Sequence, residues 1–112
     1  MYLSEKIDGS KVKIMFAIAF DLDTDKLKKH YPSLSWQNVY GEIRGFLAEK
    51  GFENQQGSLY YGNGTVTQVS AILAVVELSK RYPYVRPSVA DIRLLQLLNK
   101  DDLMPAIVMG NP

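Results

Sequence analysis

Two aspartates, an arginine, a serine and a lysine run offer most of the chemistry in this sequence. Asp21 follows the unbroken apolar run IMFAIAF, residues 14–20. Asp91 and Arg93 lie in SVADIRLL, residues 88–95, Ser58 follows a glycine in QQGSLYY, and Lys26, Lys28 and Lys29 crowd the segment TDKLKKH. A carboxylate at the end of a buried strand is a hard oxygen ligand suited to Mg²⁺. It can also serve as a general base, with its pKa raised by a second acid nearby. The plainer role is to cap the next turn, and both Asp21 and Asp23 are open to it. Asp91 and Arg93 can pair with each other or across an interface. The lysines can touch phosphates or form a solvated face. Ser58 can be a nucleophile or a phosphate donor, and a Gly-Ser pair is also ordinary turn chemistry. Gly62-Asn63-Gly64 lacks the following Lys-Ser or Lys-Thr of a phosphate loop and reads as a turn. Tyr60 and Tyr61 can stack on bases or pack at an interface.

The elements that must position these groups follow from periodicity. Residues 14–21 read as a strand buried on both faces. Alternation puts Phe16, Ile18 and Phe20 on one side and Ala17, Ala19 and Asp21 on the other. TDKLKKH reads as a short helix or turn capped by Thr24. A long helix over 35–50, capped by Ser35, has Trp36, Val39, Tyr40, Ile43 and Leu47 on one face, with Gly51 as its left-handed stop. Phe52 to Gln55 and Ser58 to Tyr61 form a hairpin around Gln56-Gly57. Thr65 to Gln68 matches a capping box for a second helix that buries Val69, Ile72, Leu73 and Val76. Pro83 and Pro87 bracket a connection. The last strand carries Ala90, Ile92 and Leu94 on one face and Val89, Asp91, Arg93 and Leu95 on the other. In the tail, Asp101-Asp102 reads as a helix start, and AIVM after it suggests a small extra strand.

This order is βαββαβ, an α+β ferredoxin-like pattern with a four-stranded antiparallel sheet and both helices on one face. The expected organisation is an N-terminal extension over 1–13, a domain over 14–98 and a C-terminal tail over 99–112 that packs on a dimer. The far sheet face has no cover in its own chain, and its apolar residues predict a two-fold dimer with bare faces together. Asp21, Asp91 and Arg93 then share the rim of a common cleft.

Composition narrows the classes. At 112 residues, 46% hydrophobic and 22% charged, the chain suits one domain with a real core. A net charge of +1 argues against extended duplex binding. The absence of cysteine excludes disulfides, thiolate metal sites and cysteine nucleophiles, and fits a cytoplasmic protein. No apolar run approaches the roughly 18 residues of a membrane span.

Three motifs, FAIAFDL, GFxxxQGSxY and SVxDIR, occur in order over about residues 15–98. Together they resemble the virulence-associated protein D (VapD) family. The extension before Met15, the segment HYPSLSWQ and the tail depart from that pattern. The resemblance implies a ferredoxin-like homodimer, related in fold to small CRISPR-associated nucleases. It also implies endoribonuclease activity and a toxin role beside a small antitoxin protein. It implies active residues at Asp21, Ser58 and Asp91, with Leu27 as packing support. Arg93 and the three lysines would bind the RNA, and Mg²⁺ would bind at Asp21. A non-catalytic dimeric module binding protein or nucleic acid in the same cleft is the alternative.

Overall fold

The computed structural model describes residues 14–110; the expected extension over 1–13 lies outside the described residues. The elements run β1 (Met15–Leu22), α1 (Thr24–His30), α2 (Asn38–Glu49), β2 (Phe52–Gln56), β3 (Leu59–Gly62), α3 (Gln68–Arg81), α4 (Val85–Ser88), β4 (Val89–Leu97) and α5 (Met104–Met109). The four strands make one antiparallel sheet in the order β2-β3-β1-β4. This is the ferredoxin-like arrangement.

The core lies between the sheet and the helices α2 and α3. Ile18, Phe20 and Leu22 of β1 meet Val39, Ile43, Phe46 and Leu47 of α2 and Ala71, Ala74 and Leu78 of α3. Tyr60 of β3 is buried with them and stacks on Phe20 at 5.5 Å. The other face carries Ala17, Ala19 and Asp21 of β1, paired with Tyr61 and Leu59 of β3 and with Leu95, Arg93 and Asp91 of β4. The alternation predicted for β1 therefore holds, and among the described residues no helix covers that face, though Ala17 on it is buried and Lys100 of the tail lies over Tyr61. Gly51 closes α2 with φ 94°, the left-handed conformation expected of it.

Several local expectations give way. Asp23, not Thr24, caps α1: its side chain accepts the Lys26 N–H at 3.1 Å. The helix expected from Ser35 starts at Asn38, because residues 35–37 form tight turns in which Ser35 and Trp36 carbonyls accept from Asn38 and Val39. The capping box of α3 is Thr67 with Ser70, whose backbone and side-chain groups bond reciprocally, rather than Thr65 with Gln68. The connection between Pro83 and Pro87 contains the single turn α4.

The buried face of α3 also differs. QVSAILAVVELSKR is apolar almost all round, and the bulkier face was expected inside. Instead Ala71, Ala74 and Leu78 face the sheet while Val69, Ile72, Leu73 and Val76 are exposed. Small residues on the inner face let the helix axis approach the sheet closely.

Val89 leaves the face predicted for it. A bulge between Asp21 and Leu22 pairs Leu22 with Val89 and leaves Ala90 as the extra residue, so Val89 turns to the core. The tail forms the helix α5 rather than a strand. Pro105 sits in its first turn, where a missing N–H costs nothing, and Asp102 accepts the Met104 N–H at 2.9 Å. These local start signals outweigh the β preference of Ile107-Val108.

Candidate active site

Asp21 and Asp91 are direct partners across the β1–β4 ladder, on the uncovered sheet face. Directly opposed side chains have Cβ atoms about 5 Å apart, so the two carboxylates share one patch of solvent. Like charges so placed repel unless a cation intervenes. Arg93 supplies it: its Nε donates to both oxygens of Asp91 at 3.2 Å. That ion pair uses Nε, so the Nη donors are not part of it. Arg93 itself stands opposite Ala19, whose short side chain leaves the patch open.

Capping, the plain alternative for Asp21, belongs to its neighbour. Asp23 caps α1 through its side chain, and its N–H donates to the Ser88 carbonyl at 2.7 Å. Asp21 is exposed and lies one residue before the strand ends.

Ser58 sits at the same end of the sheet, on the other side of β1. Its carbonyl accepts the Phe20 N–H at 3.1 Å, which extends the β1–β3 register by one residue. Gly57, one residue earlier, lies in the hairpin turn. Gly57 has φ 53°, and a Cβ built there would meet nothing within 4 Å. On the β4 side Asp21 is flanked by Asp91. Strand alternation pairs Ser58 with Phe20 rather than with the Asp21 face, and the turn at Gly57 interrupts that alternation. The sequence marked Ser58 and placed Gly57 at the tip of the hairpin, where the structure has it.

The lysines follow from α1, which starts two residues after β1 ends. Leu27 is fully buried and anchors the helix, so Lys26, Lys28 and Lys29 turn outward. Lys28 also lies over the Trp36 ring, with Nζ 5.3 Å from its centroid.

A polar network behind this end of the sheet has no counterpart in the sequence reading. Glu42 of α2 is half-buried. It accepts the Tyr31 hydroxyl at 3.3 Å and the Tyr84 hydroxyl as well. The Tyr31 and Tyr84 rings meet edge to face at 4.7 Å. Burial first, then the bonded carboxylate, raises both phenol pKa values above the ordinary 10.0. The network ties the end of α1 and the start of α4 to α2. The sequence hinted at it only through the tyrosines in HYP and RYPYV.

Among the described residues no group of three or more His, Asp or Glu side chains is gathered to hold a metal. The donors at Asp21 are two carboxylates, one of them engaged by Arg93. If a Mg²⁺ bound, this pair would suit a single ion, which would supply charge neutralisation there. It does not fit a two-ion centre. No helix among the described residues is long and apolar enough to cross a membrane.

No family model matches the chain. Curated relatives do. The chain is 40% identical over 93 residues to Endoribonuclease VapD 2 of Riemerella anatipestifer, covering 83% of this chain and 99% of that protein. It is 42% identical over 93 residues to an Endoribonuclease VapD homolog of Helicobacter pylori, covering 83% of this chain and 96% of that protein. Endoribonuclease VapD of Dichelobacter nodosus is 35% identical over 96 residues, 86% of this chain and 99% of its own length. With nearly the whole of each relative aligned and the predicted fold in place, the chain belongs to the VapD family.

Proposed function

We propose that this chain is an endoribonuclease that cleaves RNA phosphodiester bonds in a cleft between two copies of itself. One observation carries the reading: Asp21 stands opposite Asp91 on an uncovered sheet face, while Asp23 takes the capping role. The relatives named as endoribonucleases support the activity.

The uncovered face supports the homodimer, because its apolar residues need a second surface. A two-fold axis running along the strands keeps both Asp21 residues at one end of the assembly and sets β1 of one copy over β3 of the other. Asp21 then looks toward the partner turn that carries Gly57 and Ser58.

In that cleft Asp21 takes the proton of an RNA 2′-hydroxyl, whose oxygen attacks the adjacent phosphorus and displaces the 5′-oxygen, which collects a proton from water. Arg93 binds a non-bridging phosphate oxygen through its Nη donors, and Asp91 fixes the guanidinium plane. Ser58 donates a hydrogen bond to phosphate. Lys26, Lys28 and Lys29 guide the backbone toward the cleft. When bound, Mg²⁺ at Asp21 supplies charge neutralisation at phosphate. The protein acts in the cytoplasm, as the toxin of a pair whose antitoxin is a small protein.

The test is cleavage of labelled single-stranded RNA by purified protein, with Mg²⁺ and with EDTA. Internal cuts support the reading, and loss in EDTA assigns the cation a part. No cleavage across several RNAs and metals would leave a binding module instead.

A further inference from the structure

Two apolar surfaces in this chain lack cover. On α3, Val69, Ile72, Leu73 and Val76 follow i, i+3, i+4, i+7 spacing and are between 44% and 65% exposed. Beside them, between α3 and the edge strand β4, runs a groove of about 220 Å³ with a mostly apolar lining that includes Ile72, Val75, Val76, Ile92 and Leu94, and with Arg93 at its wall. The second surface is the tail. Leu103 and, on α5, Met104, Ile107, Val108 and Met109 are between 61% and 85% exposed. A helix apolar on all sides normally lies inside a protein. Here α3 has the sheet on one side only.

The two surfaces match. The α3 stripe from Val69 to Val76 is about 10 Å long and α5 about 8 Å, at 1.5 Å per residue. Neither carries a charged residue within its apolar span. Within one chain the tail is directed away from that stripe. The tail leaves on the uncovered face: Lys100 lies over the Tyr61 ring at 4.1 Å, and residues 100–103 run beside Gln55 and Gln56 of β2. That path leads toward the β2 edge, while α3 lies across the sheet, over β1 and β4. The four steps from Lys100 to Met104 span at most about 14 Å. Passage round the β2 edge would bring the tail to α2, not to α3.

We infer that α5 docks on the α3–β4 groove of a second copy, so that two tails are exchanged. This rests on the homodimer in the functional reading above. With the two-fold axis along the strands, the β2 edge of one copy faces the β4 edge of the other. The departing tail then meets the groove that its own sheet denies it. Each exchange covers an apolar helix and an exposed edge strand together, which removes a site for strand-to-strand aggregation.

The chain has no cysteine, so introduced thiols report cleanly. Full-length Ile72→Cys and Ile107→Cys proteins are prepared separately, mixed to exchange subunits and treated with a short bismaleimide. Sedimentation of each protein runs alongside. The expected result is a covalent band at twice the monomer mass in the mixture and little in either variant alone. Covalent dimer from Ile72→Cys alone would mean that α3 pairs with α3, and would overturn the inference. So would an internal cross-link in the Ile72→Cys/Ile107→Cys double variant. No cross-link from a protein that still sediments as a dimer would overturn the tail exchange and leave the functional reading standing. A monomer in sedimentation would remove both.

Discussion

Asp21 and Asp23 are two residues apart and chemically identical, yet their surroundings separate them. Asp23 bonds the first turn of α1. Replacing it with Ala should cost about 1 kcal/mol, the usual loss of a helix cap. For a domain this size that lowers the melting temperature by about 5 °C, readable by calorimetry, with RNA cleavage retained. The Asp21 face was legible because strand alternation is strict and the β1–β4 register holds as far as Asp21. Val89 was misplaced because the bulge just beyond breaks that register, and a bulge leaves little trace in the sequence. Ser58 was marked by its motif, but its place opposite Phe20 depends on a turn whose geometry Gly57 sets. The lysines belong to this scale too. Changing Lys26, Lys28 and Lys29 to Gln should weaken RNA binding and flatten the log–log salt slope by up to about 2, if all three contact phosphate. An unchanged slope in a salt titration would make them a solvated face.

At the scale of elements, Leu27 is the buried anchor of α1. Leu27→Ala should destabilise the fold by about 3 kcal/mol, as buried leucine truncations do, measurable by urea unfolding. The Glu42 network adds a pH dependence. Tyr84 has its pKa raised in the folded chain, while the unfolded chain titrates near 10.0. Its contribution is therefore complete below pH 10 and is lost above it, where the unfolded state sheds a proton that the folded state keeps. Tyr84→Phe should make the decline in stability above pH 10 shallower, as read from melting temperatures against pH. The helices were readable where apolar spacing was one-sided, as in α2. In α3 two apolar faces competed, and bulk pointed the wrong way because the sheet accepts alanine at close range. In α5 the aspartates marked the start, the β-branched pair misled, and Pro105 with the Asp102 bond to the Met104 N–H decided.

For the whole molecule, the βαββαβ order was legible from punctuation and period alone, since each strand and helix is bounded by Gly, Pro or a cap. The uncovered face was legible as a consequence of that order, since two packing helices cover only one side of four strands. At micromolar concentration the protein should sediment at twice the monomer mass, and a stable monomer would contradict the shared cleft. The most direct measurement of the central claim compares Asp21→Asn with Asp23→Asn on one labelled RNA. Asn keeps the size of Asp and most of its hydrogen bonding but not its charge. Asp23→Asn should cleave like the parent, because Asn caps as well as Asp. Asp21→Asn should keep its fold and dimer mass yet lose at least about 100-fold in rate, the scale of a missing general base. Full cleavage by folded Asp21→Asn protein would contradict the account.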